Sequence, residues 1–181
     1  MELTARLARD VDEAYAGVIE ELQHGVFSTA LQLVRNRHDA EDLTQETFVR
    51  VYRALTGFTP ARIRDMSLKS YVWTTLINLS RNRARYARRH PEFPADGEEI
   101  PSRIETTEAP EDWVEAEQIW RPRLAQLSER QRMAVLLRHV AGLSYAEVAE
   151  TLEVPVGTAK ADVHRGLERL RTMIEAEGAV A

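Results

Sequence analysis

Chemistry at a protein site needs particular side chains at particular spacings, and the 181 residues of this chain bring few of them together. The five histidines, His24, His38, His90, His139 and His164, are scattered, and no HExxH or similar ligand spacing appears. Carboxylate neighbours such as Glu41 and Asp42 are numerous and fit solvated helix faces. There is no cysteine, hence no thiolate metal site and no disulfide framework, and no glycine-rich phosphate loop is present. The expectation is a protein without catalytic group, metal or cofactor.

What the chain does concentrate is chemistry suited to nucleic acid. Residues 67–89, SLKSYVWTTLINLSRNRARYARR, interleave Tyr71, Trp73 and Tyr86 with Arg81, Arg83, Arg85, Arg88 and Arg89. Aromatic faces stack on bases, and guanidinium groups neutralise phosphates. At helical spacing Tyr71 and Trp73 equally fit a buried core. A second concentration lies in residues 142–171, GLSYAEVAETLEVPVGTAKADVHRGLERLR. A helix from Tyr145 to Leu152, a turn of about three residues and a second helix starting near Pro155 make a helix-turn-helix. Val148, Ala149 and Leu152 with Ala159, Val163, Leu167 and Leu170 form its expected inner face. Thr158, Lys160, Ala161, His164, Arg165 and Arg169 are then left for a major groove.

The net charge of −5 would by itself oppose DNA binding, but the charge is segregated. Residues 1–60 carry −4, 61–91 carry +7, 92–117 carry −9 and 118–181 carry +1. A basic DNA-facing patch, an acidic connector and a nearly neutral C-terminal module follow from that pattern. No apolar run approaches membrane-spanning length, and the charged N-terminus lacks a signal-peptide core, so the expected location is the cytoplasm.

Behind these sites the apolar spacing predicts helices over roughly 4–23, 26–35 and 39–56, with a break near Gly25, a cap at Asp39 and a stop at Gly57. Phe58 to Met66 reads as a loop. Ser67 caps a helix running to about Arg89. Four of the seven prolines, Pro91, Pro94, Pro101 and Pro110, fall in an acidic linker. Helical spacing returns from Trp113 to Leu127, and three more helices follow. Ser128 with Gln131 and Ser144 with Glu147 fit the capping box, and Gly142 suits a helix C-terminus. The fold class is therefore all-α: an N-terminal domain over 1–90, a linker over 91–111 and a C-terminal domain over 112–181.

Residues 127–171, from LSERQR to LERLR, resemble the promoter-reading domain of extracytoplasmic-function sigma factors, the specificity subunits of bacterial RNA polymerase. Residues 39–55, DAEDLTQETFVRVYRAL, resemble the helix with which these factors grip the polymerase clamp. With Ala40, Leu43, Thr47, Val51 and Leu55 buried, that helix presents Asp42, Gln45, Glu46, Val49 and Arg53. Residues 67–89 resemble the helix that captures the melted downstream promoter element. Asn78, Asn82 and Arg85 fall on its characteristic positions, Asn82 replacing a frequent Asp.

The resemblance implies core polymerase, through clamp and flap, and promoter DNA as partners, with an anti-sigma factor as a further one. It also implies a chain that leaves catalysis to polymerase. Tyr71, Trp73, Asn78, Arg81, Asn82, Arg85 and Arg88 would serve the downstream element. A free-standing helix-turn-helix regulator is the alternative, and it predicts tight promoter binding without polymerase. Three departures from the family stand out. The Phe58–Leu68 stretch is longer than usual. Glu153 occupies a turn position where glycine is common, so a positive φ there would be strained. Ala161 and Asp162 replace frequent Ser and Arg, and Asp162 is expected to repel a nearby phosphate.

Overall fold

The computed structural model describes residues 3–34, 36–89 and 119–178, and among them every regular element is a helix. The chain divides into two units, Met1–Thr107 and Glu108–Ala181. The linker over 91–111 and the Trp113 end of the returning helix lie outside the described residues.

In the first unit, α1 (Leu3–Leu7) and α2 (Val11–Leu33) are separated at Asp10, whose side chain accepts the Glu13 N–H at 3.0 Å. The break expected near Gly25 is absent: α2 runs through it as one 23-residue helix. A helical glycine costs about 1 kcal/mol relative to alanine. Burial of Leu22 and Val26 on either side outweighs that cost, since each fully buried aliphatic side chain contributes roughly 1.5 to 3 kcal/mol. Helix α3 (Arg37–Thr56) is capped by Asn36 rather than Asp39. The Asn36 side chain accepts the Asp39 N–H at 2.8 Å and donates back to the Asp39 carboxylate at 2.9 Å.

The expected loop after Gly57 contains a short helix, α4 (Pro60–Asp65), capped by Thr59 and anchored by buried Ile63. Six residues are too few for a readable period. Helix α5 (Leu68–Arg89) follows, with its Ser70 N–H reaching the Ser67 hydroxyl at 3.4 Å. Helices α2, α3 and α5 pack on one another, while α1 packs on α2 and α4. Val18, Val26, Leu43, Val51, Leu55, Val72 and Leu76 form the centre of this core.

Two tyrosines tie α2 to α3. The Tyr15 hydroxyl donates to the Phe48 carbonyl at 2.5 Å, and the Tyr52 hydroxyl donates to Asp12 at 2.7 Å, the two rings meeting edge to face. Burial pushes the Tyr15 phenol up from its ordinary range, and the hydrogen bond to the Asp12 carboxylate pushes the Tyr52 phenol up.

In the second unit residues 119–125 are helical and form the described part of α6. Helices α7 (Glu129–His139), α8 (Tyr145–Leu152) and α9 (Val156–Gly178) pack pairwise into a three-helix core. Ser128 accepts the Gln131 N–H, and Ser144 and Glu147 close a capping box in both directions. Gly142 has φ +73°, and the Leu143 N–H beyond it returns to the Leu137 carbonyl at 3.0 Å. Glu153 adopts the left-handed conformation, φ 58° and ψ 44°, which its position in the turn anticipates. Gly166 has a different reason to be glycine: a Cβ there would lie 2.6 Å from Val135 Cγ2, so α7 and α9 cross where no side chain fits.

Candidate nucleic-acid and polymerase interfaces

On α9 the buried stripe contains Ala159, Val163 and Leu170, as the apolar spacing requires. Leu152 is only half-buried and Leu167 is 38% exposed, so the inner face is narrower than expected. Asp162 takes part of that space. It does not face a phosphate: its side chain is 1% exposed and lies between two arginines. Arg165 Nη2 donates to Asp162 Oδ1 at 2.8 Å. Arg130, from α7, brings Nε within 2.6 Å of Oδ2, and its Nη2 lies 3.5 Å from Oδ1. The 2.6 Å contact lacks hydrogen-bond alignment, so Arg130 compensates charge and donates only the long bond from Nη2, while Arg165 makes the short directed bond.

The other α9 residues expected on the outer face are placed as the helical spacing implies. Lys160, His164, Arg165 and Arg169 are exposed, and Thr158 and Ala161 are half-buried beside them. His164 lies 3.4 Å from Glu168 one turn on.

On α3, Asp42 and Arg53 are exposed, whereas Gln45, Glu46 and Val49 are half-buried. Glu46 is more constrained than a free surface carboxylate. It pairs with Arg50 on its own helix and with Arg83 of α5, each at 2.7 Å. The face assigned to polymerase is thereby linked to the helix assigned to DNA.

On α5, Asn78, Arg81, Asn82, Arg85 and Arg88 are exposed, and Asn82 accepts a hydrogen bond from Arg85. Trp73 is a correction. It is 1% exposed, and its indole N–H donates at 3.1 Å to Thr29, whose hydroxyl donates in turn to the Gly25 carbonyl. A ring so enclosed has no face for a base and belongs to the core. Tyr71 is half-buried and meets Phe58 edge to face at 5.7 Å, while the Arg62 guanidinium sits 3.5 Å over the Phe58 ring.

Sequence reading missed this Arg62–Phe58–Tyr71 stack because it treated residues 58–66 as irregular. It also missed Arg130, which reaches Asp162 across 32 positions of sequence without any local signal. Among the described residues no His or acidic cluster suits a metal ion, and no helix is long and apolar enough to cross a membrane.

Fold and faces define an all-α protein with a helix-turn-helix in its second unit and a basic helix, α5, in its first. Residues 18–90 match the family model of sigma-70 region 2, and residues 119–170 match that of sigma-70 region 4. The ECF RNA polymerase sigma factor SigE of Mycolicibacterium smegmatis is 34% identical over 146 residues, which are 81% of this chain and 56% of SigE. The ECF RNA polymerase sigma factor SigW of Bacillus subtilis is 27% identical over 173 residues, 90% of this chain and 89% of SigW. The solved structure of the sigma factor RpoE with the anti-sigma factor NepR, from Bartonella quintana, shares the fold. Its TM-score is 0.65 at 22% identity, over 89% of this chain and 96% of that one. The chain belongs to the extracytoplasmic-function sigma factors, initiation factors of RNA polymerase.

Proposed function

We propose that this chain directs promoter-specific initiation by gripping core polymerase through α3 and reading a downstream element with α5 and an upstream element with α9. One observation carries the reading. Sigma-70 regions 2 and 4 match in this order on one chain, and in each matched region a basic helix face is exposed. On this reading residues 1–90 serve the clamp and downstream element, 91–111 form the linker, and 112–181 serve the upstream element and the flap. Polymerase supplies the chemistry. An anti-sigma factor is a further partner, since the Bartonella relative was solved with one.

The downstream contacts are assigned to Asn78, Arg81, Asn82, Arg85 and Arg88, with Tyr71 at the edge and Trp73 withdrawn. Thr158, Lys160, Ala161, His164, Arg165 and Arg169 serve the upstream element. Asp42, Gln45, Val49 and Arg53 meet the clamp, with Glu46 contributing through its pair with Arg83.

The test is reconstitution with core polymerase on a panel of promoter fragments, with transcript as readout. Promoter-dependent transcripts are expected only with both components present. Asp42→Arg should reduce co-elution with core while the chain remains folded. Lys160→Ala should weaken upstream binding and lower its salt slope by about one if it meets a phosphate. Tight, specific promoter binding by the chain alone would instead identify a free-standing regulator.

A further inference from the structure

Asp162 is an anomaly on a helix that meets DNA. A carboxylate near phosphates opposes binding, and a helix selected only for attraction would be better without it. Yet Asp162 sits on α9 between exposed Lys160 and exposed His164, with its own side chain turned inward and 1% exposed. The two arginines it holds are more than half exposed, Arg130 at 56% and Arg165 at 55%. A carboxylate with almost no access to water therefore grips two guanidinium groups whose outer edges face solvent.

The geometry limits what this arrangement does. Arg165 follows Asp162 by three residues, so the bond joins neighbours on one helical face and adds little to tertiary structure. Its effect falls on the side chain itself. A guanidinium carries five N–H donors in a rigid plane, and Asp162 engages Nη2, leaving others to point outward. A free arginine carries about 2 kcal/mol of rotamer entropy that must be surrendered when it docks on a base edge. Arg165 surrenders part of it on folding. Arg130 then ties the carboxylate to α7, so the orientation of Arg165 is referred to the core of the unit rather than to one helix.

We infer that Asp162 is a positioning residue for promoter reading: it holds Arg165 oriented for a base edge, with Arg130 compensating its charge. The inference rests on the upstream-element role of α9 proposed above. It assigns to Asp162 sequence discrimination, at the expense of some general affinity for phosphate.

The test uses holoenzyme reconstituted from the full chain, an upstream element and its single-base variants, measured over a range of salt. Asp162→Asn keeps the shape and removes the charge. It should lower discrimination at the base read by Arg165 by about tenfold, within the range of a lost bidentate contact. Binding to unrelated duplex should hold or rise, because a negative charge has gone. In an Arg165→Ala background, Asp162→Asn should cost no further discrimination. Unchanged discrimination in the single variant, or an equal loss in both backgrounds, would overturn the inference. Wild-type holoenzyme with no preference for any upstream sequence would overturn the reading role of α9 itself, a distinguishable result. Should Asp162→Asn fail to fold, nitrogen-15 NMR of the wild-type chain decides. Slow rotation of the Arg165 guanidinium beside a freely averaging Arg171 supports the inference, and equal averaging of the two refutes it.

Discussion

Each unit places one carboxylate between two arginines, and the two arrangements differ mainly in depth. Glu46 keeps 18% exposure while it holds Arg50 and Arg83, whereas Asp162 keeps 1% while it holds Arg130 and Arg165. The first is a half-buried network that water still reaches, worth less to stability than a fully buried one and freer to rearrange. The second is a buried charge, tolerated because its counter-charges are present, which makes it a constraint on both of them. On the proposed reading the α3 face docks on protein and can be adaptable. On the same reading the α9 face reads bases and must be ordered before it arrives, and depth of burial separates the two cases.

The contrast breaks most sharply if the arginines are removed from each carboxylate in turn. Arg130→Ala with Arg165→Ala leaves Asp162 buried and uncompensated and should destabilise the second unit by roughly 3 to 5 kcal/mol. Arg50→Ala with Arg83→Ala leaves Glu46 to water and should cost no more than about 1 kcal/mol. Hydrogen exchange of α7 to α9 peptides against α2 to α5 peptides reads the two outcomes separately, and equal losses would erase the distinction.

Glycines sharpen the comparison at the next scale. Gly166→Ala should cost roughly 1 to 3 kcal/mol, because Val135 is a stiff β-branched neighbour already 2.6 Å from the new methyl. Gly17→Ala on α2 meets nothing nearer than Leu3 Cδ1 at 3.5 Å, so it should stabilise by roughly 0.5 to 1 kcal/mol. Thermal unfolding of the full chain should show opposite shifts for the two variants.

The remaining effects concern the turns. Glu153→Gly should stabilise the helix-turn-helix by about 1 kcal/mol, since the left-handed conformation penalises a side chain. Gly57→Ala should be neutral or gain a few tenths of a kcal/mol, because Gly57 has φ −93° and needs no special freedom. Denaturant midpoints resolve both, and a destabilised Glu153→Gly would mean that the Glu153 side chain contributes more than its backbone costs.

How much was legible in the chain follows from what each feature depends on. The Ser144–Glu147 box, the span Tyr145–Leu152 and the left-handed Glu153 were readable because each is settled within four residues. Gly25 misled, since its propensity is local while the burial of Leu22 and Val26 that overrides it comes from other helices. Trp73 left two readings open, as aromatics at helical spacing serve core and surface alike, and only the Thr29 hydroxyl opposite its indole decided for the core.

By itself, then, the sequence determined an all-α chain, the caps at Ser128 and Ser144, its helix-turn-helix and the segregation of charge, since periodicity, capping and net charge are properties of neighbouring residues. Tertiary structure decided which polar side chains turn inward. Asp162 changed from a phosphate-repelling surface residue to a buried clamp because Arg130 approaches it from 32 positions away, a distance over which pattern carries no information and packing carries all of it.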